Sequence, residues 1–397
     1  MKALAPPCMP AIIWRHLAPE LAGPIHAALE RHWCAETVAP PSHWLDGWLH
    51  LIPKPGKPST QPAALRPLCL QHPILKIVSK ILTNLIKQHA YPTLMCLPLY
   101  AYLPQRGTTE CLLRVSQHCQ QIRQLCRDRQ TDDSPHGLFG GMQVSLDMEK
   151  AFDTVRRDLV LHALNQINLP PDVLRMIQTW LAPHKYHIPF KSLVGTIDAS
   201  RGIKQGSTDA PILWTLYLIM QELLQRYSHA WLHDHPIVYA DDVHPRWTLN
   251  STADGQCALG DLAHILHTFR SYGFNINATK SVVLFRAVGK GVSKFTRRWI
   301  SRSKHGPQLL IPDTLFRLPM VAKTAYLIPW CDPKLQGMGN RYYGSTYTGR
   351  ATLLLHPQAV APGTIHTSTC ALQVISTVCC AYSSVRGSRD GIACIML

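Results

Sequence analysis

The sequence predicts an α+β fold in which helices pack on one face of an antiparallel sheet. Its elements run in the order strand, helices, hairpin, helix, strand turn strand, helix, strand. Short turns join neighbouring strand runs, as antiparallel pairing requires. With 46% apolar residues in 397, the chain can also bury a sizeable core.

Residues 1–45 read as a helical lead-in, with helices over Ile12 to Leu17 and Ala22 to Trp33 before the turn Pro40-Pro41-Ser42-His43-Trp44. Leu49 to Ile52 is a short strand that runs into Pro53-Lys54-Pro55-Gly56-Lys57-Pro58, a loop whose prolines hold two lysines in place. The spacing of Ile74, Ile77, Val78, Ile81, Leu82 and Leu85 predicts a helix. Gly107-Thr108-Thr109-Glu110 opens the next helix, toward Arg127, and the polar stretch from Asp128 to Gly141 is expected as a surface loop.

Met142 to Leu146 is a strand ending in Asp147. A helix carrying Leu159, Leu161 and Leu164 stops at Asn168-Leu169-Pro170-Pro171, where a second begins and reaches Leu181. Tyr186 to Phe190 and Leu193 to Ile203 form a hairpin. Asp209 is the cap candidate and Pro211 an early residue of an apolar helix to about Arg226. Ile237-Val238-Tyr239-Ala240 is a strand with Asp241-Asp242 as its turn. A helix from Asp254 ends at Gly273, a residue suited to the left-handed position after a helix, and Ser281 to Phe285 is the next strand.

A balance of 40 Lys plus Arg against 24 Asp plus Glu gives +16, which attracts polyanions such as nucleic acid, although membrane-binding and ribosomal proteins share such a charge. The 13 cysteines form no C-x-x-C pair, so neither a zinc knuckle nor a secreted disulfide framework is indicated, and they read as reduced, mostly buried thiols. Pro6, Pro7 and Pro10 break any early apolar run, which argues against a secretory signal and for an intracellular chain, nuclear or cytoplasmic. The apolar helix from Pro211 to Met220 falls short of the roughly 20 residues that span a bilayer, so no membrane segment is expected. No protein partner is evident.

Two acidic sites stand out: Asp147 at a strand end and Asp241-Asp242 at a tight turn. Each alone reads equally as a turn former or helix cap. If their strands pair, the carboxylates converge, and hard cations such as Mg²⁺ need only two or three such ligands, filling the rest of their shell with water and phosphate. Nucleotidyl transfer uses two such ions roughly 3.5–4 Å apart.

The order of these sites and their neighbours resembles the reverse transcriptases of non-LTR (LINE-type) retrotransposons. Leu146-Asp147-Met148-Glu149-Lys150-Ala151-Phe152-Asp153 resembles that family's first catalytic motif, Arg201-Gly202-Ile203-Lys204-Gln205-Gly206 its Gly-rich second, and Tyr239-Ala240-Asp241-Asp242 its third. Gly273 to Ser281 resembles the fourth, and Leu315 to Leu327 the strand that grips the primer. Upstream, Leu51 to Lys57, Arg66-Pro67-Leu68 and Gln105-Arg106-Gly107-Thr108-Thr109 resemble the fingers motifs.

The resemblance implies a right-hand polymerase of palm and fingers: fingers over 46–140, palm over 141–330, and over 331–397 an atypical tail, disordered in one reading, in place of a thumb. It implies an RNA-directed DNA polymerase that takes an RNA template, a DNA primer and dNTPs, with two Mg²⁺ or Mn²⁺ ions. Asp147, Asp241 and Asp242 would hold the metals, with the Met148 carbonyl as an extra ligand. Phe152 would select deoxyribose, Lys54 and Arg66 would clamp the triphosphate, Gln205 and Gly206 would contact nucleotide and template, and Lys280 would meet the departing pyrophosphate. Each also has an ordinary structural reading: core aromatic for Phe152, turn amide for Gln205, solvated charge for the lysines and Arg66.

Ser207-Thr208-Asp209 departs from the family's usual stretch, as does Ile328 after Tyr326-Leu327. Two alternatives stay open: a remnant that binds RNA without catalysis, and a group II intron maturase or RNA-dependent RNA polymerase sharing the palm.

Overall fold

A computed structural model of the protein describes residues 4–6, 8–34, 42–54, 56, 61–190, 192–218, 226–304 and 306–321. The lead-in forms α1 (Ala11–His16), α2 (Ala18–Cys34) and α3 (Ser42–Leu45). Leu29 and Trp33 of α2 are buried in the main core, and Trp33 Nε1 donates to Asp172 Oδ2 at 2.8 Å. The lead-in is therefore part of the folded body.

Two sheets frame the rest. The first contains β1 (Gly47–Pro53) and β2 (Leu65–Leu70), antiparallel with Ile52 opposite Arg66. The helices α4 (Pro73–Leu94) and α5 (Thr108–Asp128) follow it. Of the apolar positions expected of α4, Val78, Ile81, Leu82 and Leu85 are buried and Ile74 and Ile77 half-buried. At the start of α5, Glu110 turns back to accept the Gly107 N–H at 2.8 Å, satisfying a donor that has no partner within the helix.

The central strand β3 (Gly137–Ser145) begins inside the expected loop: 129–136 is an exposed loop as expected, but 137–141 is buried strand. Its glycines suggest a turn, yet they serve close packing. A Cβ on Gly140 would lie 2.0 Å from the Arg286 carbonyl of the neighbouring strand, so only glycine lets the backbones approach. Sequence alone sees Gly-rich polar chain there and misses the strand.

After β4 (Met148–Glu149) come α6 (Ala151–Thr154), α7 (Arg157–Gln166) and α8 (Pro171–Trp180), and then the hairpin β5 (His184–Phe190) and β6 (Leu193–Ala199). The second hairpin strand stops at Ala199 rather than at Ile203, because the four carbonyls about that end turn inward onto the Arg157 guanidinium. The hairpin joins the first sheet, β1 pairing parallel with β5, so the order is β2-β1-β5-β6.

The remaining elements are α9 (Ala210–Leu218), α10 (His229–Asp234), β7 (Pro236–Tyr239), β8 (Asp242–Ser251), α11 (Thr252–Ser271), β9 (Asn275–Ile276), β10 (Val282–Val288), α12 (Gly291–Trp299), β11 (Ile300–Ser303), β12 (Gly306–Leu310) and β13 (Arg317–Pro319). The second sheet is antiparallel throughout, in the order β10-β3-β8-β7. α11 packs on it through Leu259, Leu262, Leu266 and Phe269, all buried. Gly273 takes φ +84°, the left-handed position expected after that helix.

Asp209 stands at the expected N-cap position of α9, its carbonyl accepting the Leu213 N–H at 3.0 Å, but its side chain turns away from the helix. Its buried carboxylate accepts from Ser79 Oγ at 2.5 Å, from the Ser207 hydroxyl and from Trp180 Nε1 at 2.8 Å. Three donors from three elements outbid a single helix N–H. The strand expected from Leu315 begins at Arg317, with Leu315 itself exposed, and its continuation through Tyr326 lies outside the described residues, as do Ile328 and the tail over 331–397. The far end of the helix after Pro211 is also outside them. Of the seven thiols among the described side chains, Cys69, Cys111 and Cys126 are buried, Cys8 and Cys119 half-buried, and Cys96 and Cys257 exposed; the other cysteines lie outside them. No helix among the described residues is long and apolar enough to cross a membrane.

Candidate active site

Strand register brings the acidic residues together. The Leu146 N–H donates to the Val243 carbonyl at 2.9 Å in an antiparallel bridge, which sets the next residue, Asp147, across from the preceding one, Asp242. On the other side β7 and β8 pair with Tyr239 opposite Asp242, leaving Ala240 and Asp241 as the two residues of the turn. Trp214, fully buried on α9, donates its Nε1–H to the Ala240 carbonyl at 3.0 Å and so anchors that turn from beneath.

The carboxylates feel one another. Burial and the charges of Asp241 and Asp147 push Asp242 up to about 6. Asp241 is also raised, by crowding of surrounding protein and by Asp147, against the pull of Arg66; water reaches it at the turn and screens the effect. The Lys280 ammonium lies 3.5 Å from Asp147 Oδ2. Three acids with a single adjacent lysine leave excess negative charge, the electrostatic condition that a divalent cation relieves.

Among the described residues no three of His, Cys, Asp and Glu converge into a ready cage for an ion. Asp147 and Asp241, assisted by Asp242, would hold one only with water and phosphate completing the shell, the usual manner of Mg²⁺. The Met148 side chain is buried opposite Ile276, so only its backbone is available as a ligand.

Phe152 stacks on Trp214 with ring centroids 4.9 Å apart, beside the same turn. Gln205 donates from Nε2 to Asp153 Oδ1 at 2.9 Å, and its carbonyl accepts the Cys69 N–H of β2 at 2.7 Å, tying the Gly-rich loop to the first sheet. Gly206 takes φ +98°, and a Cβ there would meet Leu68 Cδ1 at 2.6 Å. Lys54 follows β1, within electrostatic reach of Asp153, and Arg66 on β2 is exposed and acts on Asp241. Arg66 thus acts on the carboxylate cluster from the first sheet, while Lys54 and Gln205 act on Asp153.

Three residues escaped the sequence reading. Ser281, fully buried, accepts the Asp147 N–H through its hydroxyl at 3.0 Å. Arg157 donates from Nε to Gly202 O, from Nη1 to Ala182 O and Ala199 O, and from Nη2 to Arg201 O, at 2.9–3.2 Å. Lys204 lies buried over the Trp180 ring, 4.7 Å from its centroid. Only Ser281 had a signal, its place directly after Lys280; for the others the partners are backbone carbonyls or a ring distant in sequence.

An antiparallel sheet that sets carboxylates at the ends of adjoining strands, beside a basic, Gly-rich loop, is the frame of a metal-dependent polymerase. Residues 52–302 match the reverse transcriptase (RNA-dependent DNA polymerase) family, and the chain belongs to it. Enzymes of that family use a divalent metal. The "Probable RNA-directed DNA polymerase from transposon X-element" of Drosophila melanogaster is 26% identical over 61% of this chain and 25% of its own length. The "Retrovirus-related Pol polyprotein from type-1 retrotransposable element R2" of Nasonia vitripennis is 28% identical over 47% of this chain and 16% of its own. The chain thus spans a quarter or less of these curated relatives in the aligned region. Telomerase structures from Candida tropicalis and Candida albicans align over 68% and 70% of the chain, and 44% and 48% of theirs, at TM-scores of 0.40 and 0.41 with 11% and 14% identity.

Proposed function

We propose that this chain is the polymerase core of a retroelement, extending the 3′-hydroxyl of a DNA primer along an RNA template with dNTPs. One observation carries the reading: in a member of the reverse transcriptase family, the Leu146–Val243 bridge sets Asp147 across from Asp242 and next to the turn bearing Asp241.

Two Mg²⁺ ions, when bound, would lower the barrier to deprotonating the primer hydroxyl and neutralise the triphosphate. Asp147 and Asp241 are the ligands for them, and Asp242 adds negative charge that favours their uptake. The hydroxyl oxygen attacks the α-phosphorus, its proton passes to solvent, and the bond to pyrophosphate breaks. Arg66, with its planar fork, and Lys54, with its point charge, hold the triphosphate from the first sheet. Lys280, beside Asp147, supplies positive charge or a proton to the departing pyrophosphate. Phe152, stacked on Trp214, would set its ring against the sugar and disfavour a 2′-hydroxyl there.

The test is primer extension by the purified chain on an RNA template with Mg²⁺, beside filter binding of the same RNA. Wild type should extend; Asp241→Ala with Asp242→Ala should bind RNA and not extend. Extension that survives the double substitution overturns the assignment. Binding without extension by wild type would leave an RNA-binding protein in its place.

A further inference from the structure

α12 carries a cationic stripe, and the helix starts at the end of the catalytic sheet remote from the carboxylates. Residues 290–304 hold Lys290, Lys294, Arg297, Arg298, Arg302 and Lys304 and no Asp or Glu. All six are exposed, while Gly291 and Phe295 of the same helix are buried. Positions 290, 294, 297 and 298 repeat at helical spacing, so their side chains share one face. Phe295 stacks on Phe285 of β10 with centroids 5.4 Å apart, which holds that face rigidly against the sheet. Lys290 pairs with exposed Asp133 at 3.1 Å, whereas Lys294, Arg297 and Arg298 form no ion pair among the described residues, and Arg298 rests 4.9 Å over the Trp299 ring.

Like charges are crowded here at a helix-helix spacing that repels, and the local chain offers no acid to relieve it. A partner bearing regularly spaced negative charge would. The start of α12 packs against the Gly137 carbonyl at the N-terminal end of β3, while Asp147 follows its C-terminal end. A strand of nine residues separates the start of α12 from Asp147 by roughly 30 Å, while Phe295 at mid-helix stacks on Phe285, whose partner Met142 stands five residues, or roughly 17 Å, before Asp147.

We propose that the α12 stripe binds the phosphate backbone of the RNA template beyond the stretch being copied, a second point of attachment outside the catalytic cleft. The proposal rests on the polymerase reading for the identity of the strand: a template runs on past the copied bases, so it alone is present at every step with length to spare. Arg297 and Arg298 offer forks for phosphate oxygens and Lys294 a point charge between them. Contacts of this kind tether RNA without reading its sequence.

Two RNAs test it, using the full chain and the triple variant Lys294→Ala, Arg297→Ala, Arg298→Ala. For a single-stranded RNA of about 60 nucleotides, long enough to span both sites, losing three phosphate contacts should lower the slope of log affinity against log salt by about 2 and weaken binding about tenfold. Extension of a short template-primer, with only a few template nucleotides beyond the copied stretch, should be unchanged. The charge-keeping triple Lys294→Arg, Arg297→Lys, Arg298→Lys should bind the long RNA nearly as wild type does. Unchanged affinity and slope in the alanine triple overturns the proposal, as does a loss confined to DNA of the same length. If wild type binds long RNA through the stripe but never extends a primer, the stripe stands and the polymerase reading falls.

Discussion

The backbone N–H of Asp147 donates to the Ser281 hydroxyl at 3.0 Å, joining the end of β3 to the start of β10 across 134 residues of sequence. The Asp147 carbonyl in turn accepts the Asn277 N–H at 2.9 Å. The carboxylate is thus aimed by its own main chain, held on both sides by the segment that also supplies Lys280.

Ser281→Ala should leave the part-buried Asp147 N–H without its side-chain partner. The expected loss is about 1–2 kcal/mol of stability, with a larger fractional fall in extension rate than in RNA affinity. Thermal unfolding and single-turnover extension, measured together, check it. Full activity in a destabilised variant would show that Asp147 is aimed by other contacts.

Phe152 shares its stacking with Trp214, which itself anchors the Ala240 turn. Phe152→Val keeps an apolar residue but removes the flat ring. Ribonucleotide incorporation relative to deoxyribonucleotide should rise, alongside a loss of about 1–3 kcal/mol from the smaller packed volume. Competition between a dNTP and its ribonucleotide reads the ratio. An unchanged ratio assigns Phe152 to the core alone.

Arg157 holds four carbonyls of the segments around 182 and 199–202 in one fork. Arg157→Lys retains the charge but supplies a single ammonium, which cannot meet four acceptors at once. Both Arg157→Lys and Arg157→Ala should therefore destabilise the chain, the alanine variant by about 3 kcal/mol or more. The Gly-rich loop should become more readily cut by protease in each. A lysine variant as stable as wild type would contradict the fork argument.

Lys204 bears a buried ammonium whose Nζ makes no hydrogen bond among the described residues. Burial pulls it down to about 8, against the opposing influence of Cys69 and Asp209. The folded state then holds this proton less tightly than the unfolded chain does. Stability should be reduced by this group at pH 7 and should recover as pH rises from about 8 toward the ordinary lysine value. Lys204→Met, similar in volume, should raise the Tm at pH 7 and remove that rise. A lower Tm at pH 7 would mean that the charge over Trp180 stabilises more than its desolvation costs.

Much of the catalytic segment was legible because its signals are local. A short strand and a two-residue turn are written in consecutive residues over 237–242, although the turn falls on Ala240-Asp241, one residue before the expected Asp241-Asp242. α4 announces itself through Ile77, Val78, Ile81 and Leu82, and the end of α11 through Gly273. The strand over Gly137–Gly141 was not legible, since the need for glycine at 140 comes from the Arg286 backbone of another strand. The role of the Asp209 carboxylate was hidden for the same reason: its partners Ser79 and Trp180 lie 130 and 29 residues away.

By itself the sequence determined the residue types and their order: three aspartates, a Gly-rich loop, a following lysine and a basic surplus. Tertiary structure alone decided that Asp147 stands across from Asp242, that the β5–β6 hairpin joins β1 rather than the catalytic sheet, and that the six cations of 290–304 are all exposed, four of them on one helix face. The physical reason is register. Hydrogen-bond pairing between strands, and the packing of a helix on a sheet, depend on groups far apart in the chain, and a shift of one residue would turn each aspartate toward the opposite face.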